Sequence, residues 1–313
     1  MSKIKVSFFG SSEFSIPTLK CLLEDNNIEV KSIITMPPAE KNRGKKMSNN
    51  IVQDFAIQQG FDNEKIFTPN SLKKKDEEGA KLLEILQQQA LDFIVVVAYG
   101  KIITKSIIEL PKYEILNLHP SALPKYRGAA PIERAIENSD KETEICIMRV
   151  NTGLDTGDVA IRRKYIFDEK KGANEIVPEI AEIGAKLMIN TIKKCVNNDA
   201  IFTPQTEEGM IYANKIEKSE LFIDFTNTEL DAQRVFNKIR AFNNNGCCYF
   251  ILNGMRVKII SATLDEKETN NSMYGFDKKT GKIYLNGGVI IPTMLQKEGK
   301  KPMPLKDFLN GLK

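Results

Sequence analysis

The chain has no tryptophan, a single histidine, and five cysteines that never form a CxxC pair. Zinc sites in proteins are built mainly from closely spaced cysteine and histidine ligands, so a metal site here would depend on carboxylates. The odd number and irregular spacing of the cysteines also argue against a disulfide framework. We therefore expect no metal centre, and we expect the following thiols to be reduced and mostly buried: Cys21, Cys146, Cys195, Cys247 and Cys248.

The chain also lacks any run of about 20 apolar residues, which a membrane-spanning helix needs. The first residues show no long apolar stretch followed by a small-residue cleavage site, the pattern of a signal peptide. A length of 313 residues with 42% hydrophobic and 27% charged side chains is typical of a soluble protein of about two domains. We expect a cytoplasmic monomer without a membrane partner.

Positive charge is unevenly distributed. The residues from 211 to the end include 16 Lys and Arg against 11 Asp and Glu, a net charge of +5, whereas the first 210 residues carry a net charge of −1. A basic C-terminal third favours a polyanion contact confined to one domain. A surplus of five charges also lies within ordinary variation, so charge alone leaves both interpretations open.

Strand and helix patterns alternate over about the first 200 residues. Apolar runs predict strands at 4–9, 29–34, 93–98, 114–118, 144–150 and 159–167, and helical spacing predicts helices at 14–23, 50–59, 78–89 and 179–197. This alternation predicts an α/β fold with a Rossmann-like, doubly wound and largely parallel sheet.

The ends of three predicted strands carry residues suited to a ligand site. In open α/β sheets, ligands bind beyond the carboxyl ends of the strands, where we find Gly10, residues 98–100 and residues 117–119. The segment that begins at Gly10 reads Gly-Ser-Ser-Glu-Phe-Ser rather than GxGxxG, so it does not favour a dinucleotide site. We expect the three loops to line one pocket for another ligand.

The C-terminal third has a different pattern, with short predicted strands at 221–225, 248–252, 256–262, 281–285 and 288–294. Asn253-Gly254 between two apolar runs is a strong two-residue hairpin signal. Helices are predicted at 229–242 and 304–310. This spacing fits a small OB-like β-barrel, a fold that commonly binds nucleic acid. We assign 1–201 to the first domain, 202–212 to a linker and 213–313 to the barrel.

A long basic loop interrupts the α/β pattern at 36–50, directly after the second predicted strand. It contains Arg43, Lys45 and Lys46, and it is longer than a connector between two elements needs to be. Two interpretations stay open: a solvated excursion, or an element that grips phosphates at the edge of the active site.

His119 is the chain's one candidate for acid–base chemistry near neutral pH. A lone histidine is often a hydrogen-bonded structural residue, but Asn117 stands two residues before it at a strand end. Asp155, between Gly153 and Gly157, is typical of a turn. If Asp155 lies opposite His119, its carboxylate can orient the imidazole and raise its basicity. Sequence separation does not decide whether the two side chains meet.

Several motifs resemble the formyltransferases that use 10-formyltetrahydrofolate. The first set is VVVAYG at 95–100, NLHPSALPKYRGAAP at 117–131 and GLDTGD at 153–158. A second set resembles the members of this family that formylate methionyl initiator tRNA: RGKK at 43–46, RAFN at 240–243 and LQKEGKKPM at 295–303. The resemblance spans both predicted domains.

The resemblance implies a catalytic Rossmann-like domain and an OB-like domain that helps to hold tRNA. It implies that Asn117 and a protonated His119 stabilise the formyl oxygen, and that Asp155 holds His119 and assists removal of the amine proton. The formyl donor would be 10-formyltetrahydrofolate, with no metal. The implied folate contacts are Tyr99, Gly100, Lys101, Ile102, Ser121, Ala122, Leu123 and Pro124. The implied tRNA contacts are Arg43, Lys45, Lys46, Lys300 and Lys301.

The sequence departs from the family pattern at two places. Ala122 stands where the family commonly has leucine, and Asn244-Asn245-Gly246 stands where it commonly has Pro-Trp-Pro. Nucleotide-sugar formyltransferases share the histidine segment and are the nearest rival, but the basic loop and lysine-rich barrel favour tRNA. Glycinamide-ribonucleotide formyltransferase has a single domain, so this alternative leaves about one small domain of the present chain unexplained. If the protein were a noncatalytic RNA-binding protein, the presence of Asn117, His119 and Asp155 together would be a coincidence.

Overall fold

The computed structural model describes residues 2–41, 46–268 and 274–312. The chain divides into two compact units. The first unit comprises Met1–Arg127, Glu144–Lys164 and Pro178–Ile211, and the second comprises Gly128–Thr143, Tyr165–Val177 and Tyr212–Lys313. These units differ from the contiguous ranges assigned from the sequence, because two excursions of the N-terminal part of the chain pack with the second unit.

Ten strands and six helices precede residue 200 in the described ranges. The strands are β1 (Ile4–Gly10), β2 (Ile28–Ile34), β3 (Ala39–Lys41), β4 (Lys46–Ser48), β5 (Ile66–Phe67), β6 (Phe93–Val97), β7 (Glu114–His119), β8 (Arg127–Gly128), β9 (Glu142–Arg149) and β10 (Val159–Ile166). The helices are α1 (Ile16–Glu24), α2 (Ile51–Gln58), α3 (Glu77–Gln88), α4 (Lys105–Ile108), α5 (Pro131–Glu137) and α6 (Ala173–Val196).

The main sheet has the strand order β10-β9-β7-β6-β1-β2-β5. Strands β5, β2, β1, β6 and β7 pair in parallel, and β9 pairs antiparallel to β7. The predicted doubly wound, largely parallel sheet is therefore confirmed. The order reverses direction at β1, so the carboxyl ends of β1, β6 and β7 lie side by side at the sheet edge where ligands bind in such folds.

Burial explains why the central strands are continuous apolar runs. All five residues of β6 are buried, as expected for a strand covered on both faces. Helix α3 packs one face onto the sheet through Leu82, Leu83 and Leu86, which share a core cluster with Phe9 and Tyr99. The rigid centre of the sheet thus fixes the strand ends that carry the polar loops.

Several elements differ from the sequence prediction. Helix α6 begins at Ala173 rather than 179 and continues through Pro178, a residue that usually interrupts a helix interior. The predicted strand at 221–225 is wrong, because a 3-10 helix occupies Lys218–Leu221 and only an isolated bridge from Phe222 to Tyr249 follows. Helix α5 and the short β3–β4 hairpin were not predicted.

The second unit is built on an antiparallel sheet with the strand order β12-β13-β16-β15-β14, and β17 also pairs with β16. Its later elements are β11 (Tyr212–Ala213), α7 (Ala232–Phe242), β12 (Tyr249–Leu252), β13 (Met255–Asp265), β14 (Gly275–Phe276), β15 (Ile283–Leu285), β16 (Gly288–Lys297), β17 (Met303–Pro304) and α8 (Leu305–Asn310). The curled antiparallel sheet confirms the OB-like fold class of the C-terminal domain. Among the described helices, none combines the length and apolarity that a bilayer span requires.

Aromatic rings fill the core of the second unit. Phe250 lies 5.3 Å from Phe225 and 5.0 Å from Phe276, measured between ring centroids, and Phe276 contacts Phe308 edge-on. Such offset and edge contacts suit the charge distribution of aromatic rings. A phenylalanine cluster therefore builds this core in a chain that has no tryptophan.

Candidate active site

Strand β7 places Asn117 and His119 on one side of the sheet edge. Side chains two residues apart in a strand point to the same face. Because β7 is held by β6 on one side and β9 on the other, its end has little freedom to move. Asn117 is half-buried, and His119 is only 4% exposed. The sheet therefore presents an amide and an imidazole together.

The two ring nitrogens of His119 face different acceptors. Nε2 lies 2.9 Å from the Tyr126 carbonyl oxygen, which can only accept a hydrogen bond, so Nε2 carries a proton and donates. Nδ1 lies 3.6 Å from Oδ2 of Asp155. Both ring nitrogens therefore face groups that accept hydrogen bonds, a carbonyl at Nε2 and a carboxylate at Nδ1.

Asp155 reaches His119 from a tight loop between β9 and β10. Its backbone adopts a left-handed conformation with φ of +52°, which is unusual for an L-residue other than asparagine, aspartate or histidine. Oδ1 of Asn151 accepts hydrogen bonds from the Gly153 N–H at 3.0 Å and the Thr156 hydroxyl at 2.7 Å. Local hydrogen bonds thus shape the loop that carries the carboxylate.

The far end of the same loop returns closely to β9. A Cβ at Gly157 would lie 1.8 Å from the Arg149 carbonyl oxygen, so only glycine permits this approach. Arg149 also donates to Asp158 at 3.1 Å and to Glu114 at 2.7 Å. Burial raises the pKa of Glu114, and the nearby Arg149 guanidinium opposes that rise.

The loop after β6 contains the first group of expected folate contacts. Tyr99 is buried in the core, and its hydroxyl has no hydrogen-bond partner within the described ranges. Burial accordingly raises its pKa. Lys101 directs its ammonium at the carbonyls of Pro69 and Asn70, and burial lowers its pKa. Gly100 and Ile102 are the exposed members, so this loop offers a ligand backbone and one apolar side chain rather than a phenol or a cation.

The second group of expected folate contacts forms a compact turn at 121–124. The Ser121 hydroxyl donates to the Lys125 carbonyl at 2.6 Å, and Leu123 is buried with its carbonyl accepting from Arg162 at 2.8 Å. Ala122 and Pro124 are half-buried. Ser121 and Leu123 therefore hold the turn internally, and Ala122 and Pro124 are its more accessible members.

The expected tRNA contacts fall in two places. Arg43 and Lys45 lie outside the described residues, and of Lys46 only the backbone is described, paired with Lys41 in the β3–β4 hairpin. Lys300 and Lys301 are exposed in the turn between β16 and β17. A depression of about 180 Å³ beside this turn is lined by Arg256, Lys258, Gln296, Lys297, Glu298 and Gly299.

The structure also places polar residues at the site that sequence reasoning missed. The Ser11 hydroxyl donates to the Tyr99 carbonyl at 2.9 Å and accepts from the Met36 N–H at 3.2 Å, so it joins the ends of three central strands. Gln205 donates to the Asp155 loop, and it accepts from the buried Arg127. Ser11 directly follows Gly10, which the sequence predicts at a strand end. Gln205 lies in the segment predicted to be a linker, where no sequence pattern distinguishes it.

The departure at 244–246 has its own set of contacts in the second unit. The side-chain amides of Asn244 and Asn245 both donate to Oε1 of Glu133 in α5, at 3.3 and 2.8 Å. Asn243 holds the backbone N–H of Asn174 at 2.9 Å. Hydrogen bonds to α5 therefore occupy the segment where the family commonly has Pro-Trp-Pro, and the preceding Asn243 contacts the start of α6.

Within the described residues, no group of three or more histidine, cysteine, aspartate or glutamate side chains is close enough to hold a metal ion. All five thiols are free, and four of them are buried. Burial raises the pKa of Cys146 to about 12, so this thiol beside the 121–124 turn stays protonated at neutral pH.

Comparisons with known proteins agree with this architecture. A methionyl-tRNA formyltransferase of Rickettsia bellii is 34% identical over 99% of this chain and 97% of that protein. One of Sulfurihydrogenibium sp. is 35% identical over the same shares. The crystal structure of WlaRD, a sugar 3N-formyl transferase, shares the fold with a TM-score of 0.66 at 21% identity, covering 96% of this chain and 100% of that one. Residues 3–192 match the formyl transferase family and residues 215–313 match its C-terminal domain, so the chain belongs to the formyl transferase family.

Proposed function

We propose that this protein transfers the formyl group of 10-formyltetrahydrofolate to the amino group of methionyl initiator tRNA. The observation that carries the proposal is the placement of His119 between the Tyr126 carbonyl and the Asp155 carboxylate, with Asn117 on the same strand face. The full-length similarity to enzymes named methionyl-tRNA formyltransferase supports this acceptor over an amino sugar.

Formyl transfer needs charge stabilisation and proton movement rather than a protein nucleophile. As the amine nitrogen bonds to the formyl carbon, negative charge develops on the formyl oxygen and positive charge on the nitrogen. The Asn117 amide and the Nδ1–H of a protonated His119 are donors suited to that oxygen. The distance of 3.6 Å from Nδ1 to Oδ2 of Asp155 is longer than a hydrogen bond, so a substrate oxygen placed beside the carboxylate can accept from this N–H.

Collapse of the tetrahedral intermediate breaks the bond from the formyl carbon to N10 of the folate. The amine gives up a proton, and N10 gains one, so atoms and charges balance without a covalent enzyme intermediate. Asp155, with 16% of its side chain exposed, is the more accessible partner of the pair and is suited to take the amine proton directly or through water.

The folate and the tRNA would use different parts of the chain. The exposed backbone at Gly100, the apolar side chain of Ile102 and the half-buried Ala122 and Pro124 offer a mainly apolar surface for a pterin. Lys300 and Lys301 extend the basic rim formed by Arg256 and Lys258, which favours phosphate contacts.

The test incubates the purified protein with 10-formyltetrahydrofolate and one of three acceptors: methionyl initiator tRNA, free methionine, or an amino-sugar nucleotide. Mass spectrometry then detects the formylated product. We expect rapid formylation of the tRNA-linked methionine alone. Formylation of the sugar nucleotide without the tRNA would overturn the acceptor, and no product with any amine would overturn the reaction class.

A further inference from the structure

Gln205 makes its hydrogen bonds with two parts of the active-site framework. Its side-chain Nε2 donates to the Asp155 carbonyl at 2.9 Å and to the Gly157 carbonyl at 2.7 Å. A primary amide has two N–H groups, so each carbonyl receives one of them. One side chain therefore holds the Asp155 loop at two points on either side of Thr156.

Asp155 has a left-handed backbone with φ of +52°. Aspartate adopts this conformation more readily than most L-residues, but surrounding contacts still have to select it over the extended and right-handed regions. Residues 151–154 are exposed, and the hydrogen bonds within the loop centre on Asn151. Gln205 adds two hydrogen bonds to the loop backbone from outside it, one of them at Asp155 itself.

Arg127 fixes the direction in which the Gln205 amide points. Its Nε and Nη2 donate to Oε1 of Gln205 at 3.1 and 2.9 Å. A guanidinium only donates and a backbone carbonyl only accepts, so the flipped amide would face repulsion at both ends. Arg127 is 2% exposed, and Glu207 lies 3.3 Å from its Nη1. The amide orientation is thus set by chemistry on both sides.

These contacts form a closed chain of interactions that links His119 and Asp155. The Nε2–H of His119 donates to the Tyr126 carbonyl, Arg127 follows Tyr126 in the chain and holds Gln205, and Gln205 holds the Asp155 backbone. The Asp155 carboxylate then faces Nδ1 of His119 at 3.6 Å. The backbone of residues 126–127 therefore anchors the imidazole directly and the carboxylate through one amide.

The chain around Gln205 is itself held in place. Thr203 and Val159 exchange two backbone hydrogen bonds at 2.9 and 3.0 Å, and the Arg149 guanidinium lies 4.0 Å from the centre of the Phe202 ring. Residues 202–211 accordingly belong to the first compact unit. A segment whose composition resembles a linker is thus a fixed part of the framework beside β9 and β10.

We propose that Gln205 is a positioning residue, which sets the distance and direction of Asp155 relative to His119 and so tunes the charge and orientation of the imidazole. This inference rests on the proposed function, because the two side chains it positions are those assigned to formyl transfer. The hydrogen bonds of Gln205 go to Arg127 and to the backbone of the Asp155 loop, so the proposed role acts through Asp155.

Gln205→Glu separates positioning from simple filling of space. Glutamate keeps the length of the side chain and forms an ion pair with Arg127, so we expect the variant to fold, but it replaces the donor with an acceptor opposite two carbonyls. Gln205→Ala removes all four hydrogen bonds. Gln233→Ala is the matched control, since its amide donates to Asn237 at 3.1 Å in the second unit.

Two measurements test the proposal on folded protein, with thermal melts as the check of folding. Because His119 is the chain's one histidine, its imidazole NMR signals are unambiguous and report its titration without any substrate. For Gln205→Glu we expect kcat to fall about 10–100-fold with KM for both substrates unchanged, since small misplacements of reacting groups have effects of this size. We also expect the titration midpoint of His119 to move, and Gln233→Ala to leave kcat and the midpoint unchanged.

The outcomes for the inference and for the proposed function are distinguishable. If the wild-type protein formylates no amine, the proposed function fails, and the His119 titration still tests the positioning role. If the wild-type protein is active and folded Gln205→Glu keeps the wild-type kcat, or if His119 titrates as in the wild type, the positioning role is overturned. Should Gln205→Ala fail to fold, Gln205→Glu still decides between these results.

Discussion

The carboxylate of Asp155 lies 3.6 Å from Nδ1 of His119, while the opposite ring nitrogen donates to the Tyr126 carbonyl. The His119 ring is therefore held by a hydrogen bond at Nε2 and faces a carboxylate at Nδ1. His119 is the last residue of β7 and Asp155 lies in the loop between β9 and β10, and the sheet brings them together.

Asp155→Asn should lower kcat about 10²–10⁴-fold, because it removes both the charge opposite His119 and the proposed proton acceptor. Asparagine tolerates left-handed backbone well, so the loop conformation is retained. Steady-state kinetics with methionyl initiator tRNA, together with a thermal melt, measures the effect. A variant with unchanged kcat would remove Asp155 from the reaction.

Gly157→Ala should disturb the Asp155 loop from its far end. The added Cβ would stand 1.8 Å from the Arg149 carbonyl oxygen, so the backbone must shift. We expect a lower melting temperature and a fall in kcat of about 10²-fold. Gly60→Ala is the matched control. Gly60 has a φ of +77°, and a Cβ added there would have no atom within 4 Å, so this variant bears only the cost of a left-handed backbone, about 1 kcal/mol. Equal kcat in both variants would contradict the loop's role.

Lys300→Ala and Lys301→Ala should weaken tRNA binding mainly at low salt. Each cation that neutralises a phosphate contributes about 0.7–0.9 to the slope of log affinity against log salt, so losing one contact reduces the slope by that amount. Filter binding at several salt concentrations measures it. Lys81→Ala, an exposed lysine in α3, is the control and should leave the slope unchanged. An unaltered slope in both test variants would rule out phosphate contacts there.

Buried thiols should make the protein less stable in alkali. Burial raises the pKa of Cys195 to about 11 and that of Cys248 to about 12, whereas a thiol in the unfolded chain has a pKa of about 8.5. The unfolded state therefore loses protons first, and the free energy of unfolding, unaffected below about pH 8, falls as pH rises beyond that value. Thermal melts in reducing buffer between about pH 8 and 10 should show a shallower decline for Cys248→Ala than for the wild type. Equal declines would contradict the assignment.

The sequence was most informative where one physical effect dominates. The fully apolar run of β6 and the position of His119 at the end of a strand followed from burial and chain direction alone. The predicted strand at 221–225 is wrong, because the short apolar run there satisfies a 3-10 turn and one bridge equally well. The helix predicted at 179–197 begins too late, because α6 starts at Ala173 and continues through Pro178.

The support of the site was harder to predict because it depends on contacts between distant polar residues. Gln205 lies 50 residues from Asp155 and 78 residues from Arg127, in a polar segment without periodicity. Tyr99 shows the same limit: its motif implies a folate contact, which stays a prediction, and the structure buries its side chain in the core. Packing between distant parts of the chain determines which side chains near a motif are accessible, and the motif alone does not encode that packing.

We infer that His119 stabilises the transition state of formyl transfer. The most direct measurement is the single-turnover rate of N-formylmethionyl-tRNA formation, with protein in excess and 10-formyltetrahydrofolate saturating, for the wild type and His119→Ala. The account predicts a rate about 10²–10⁴-fold lower in the variant, with tRNA affinity unchanged. A His119→Ala protein that formylates methionyl initiator tRNA at the wild-type rate would contradict it.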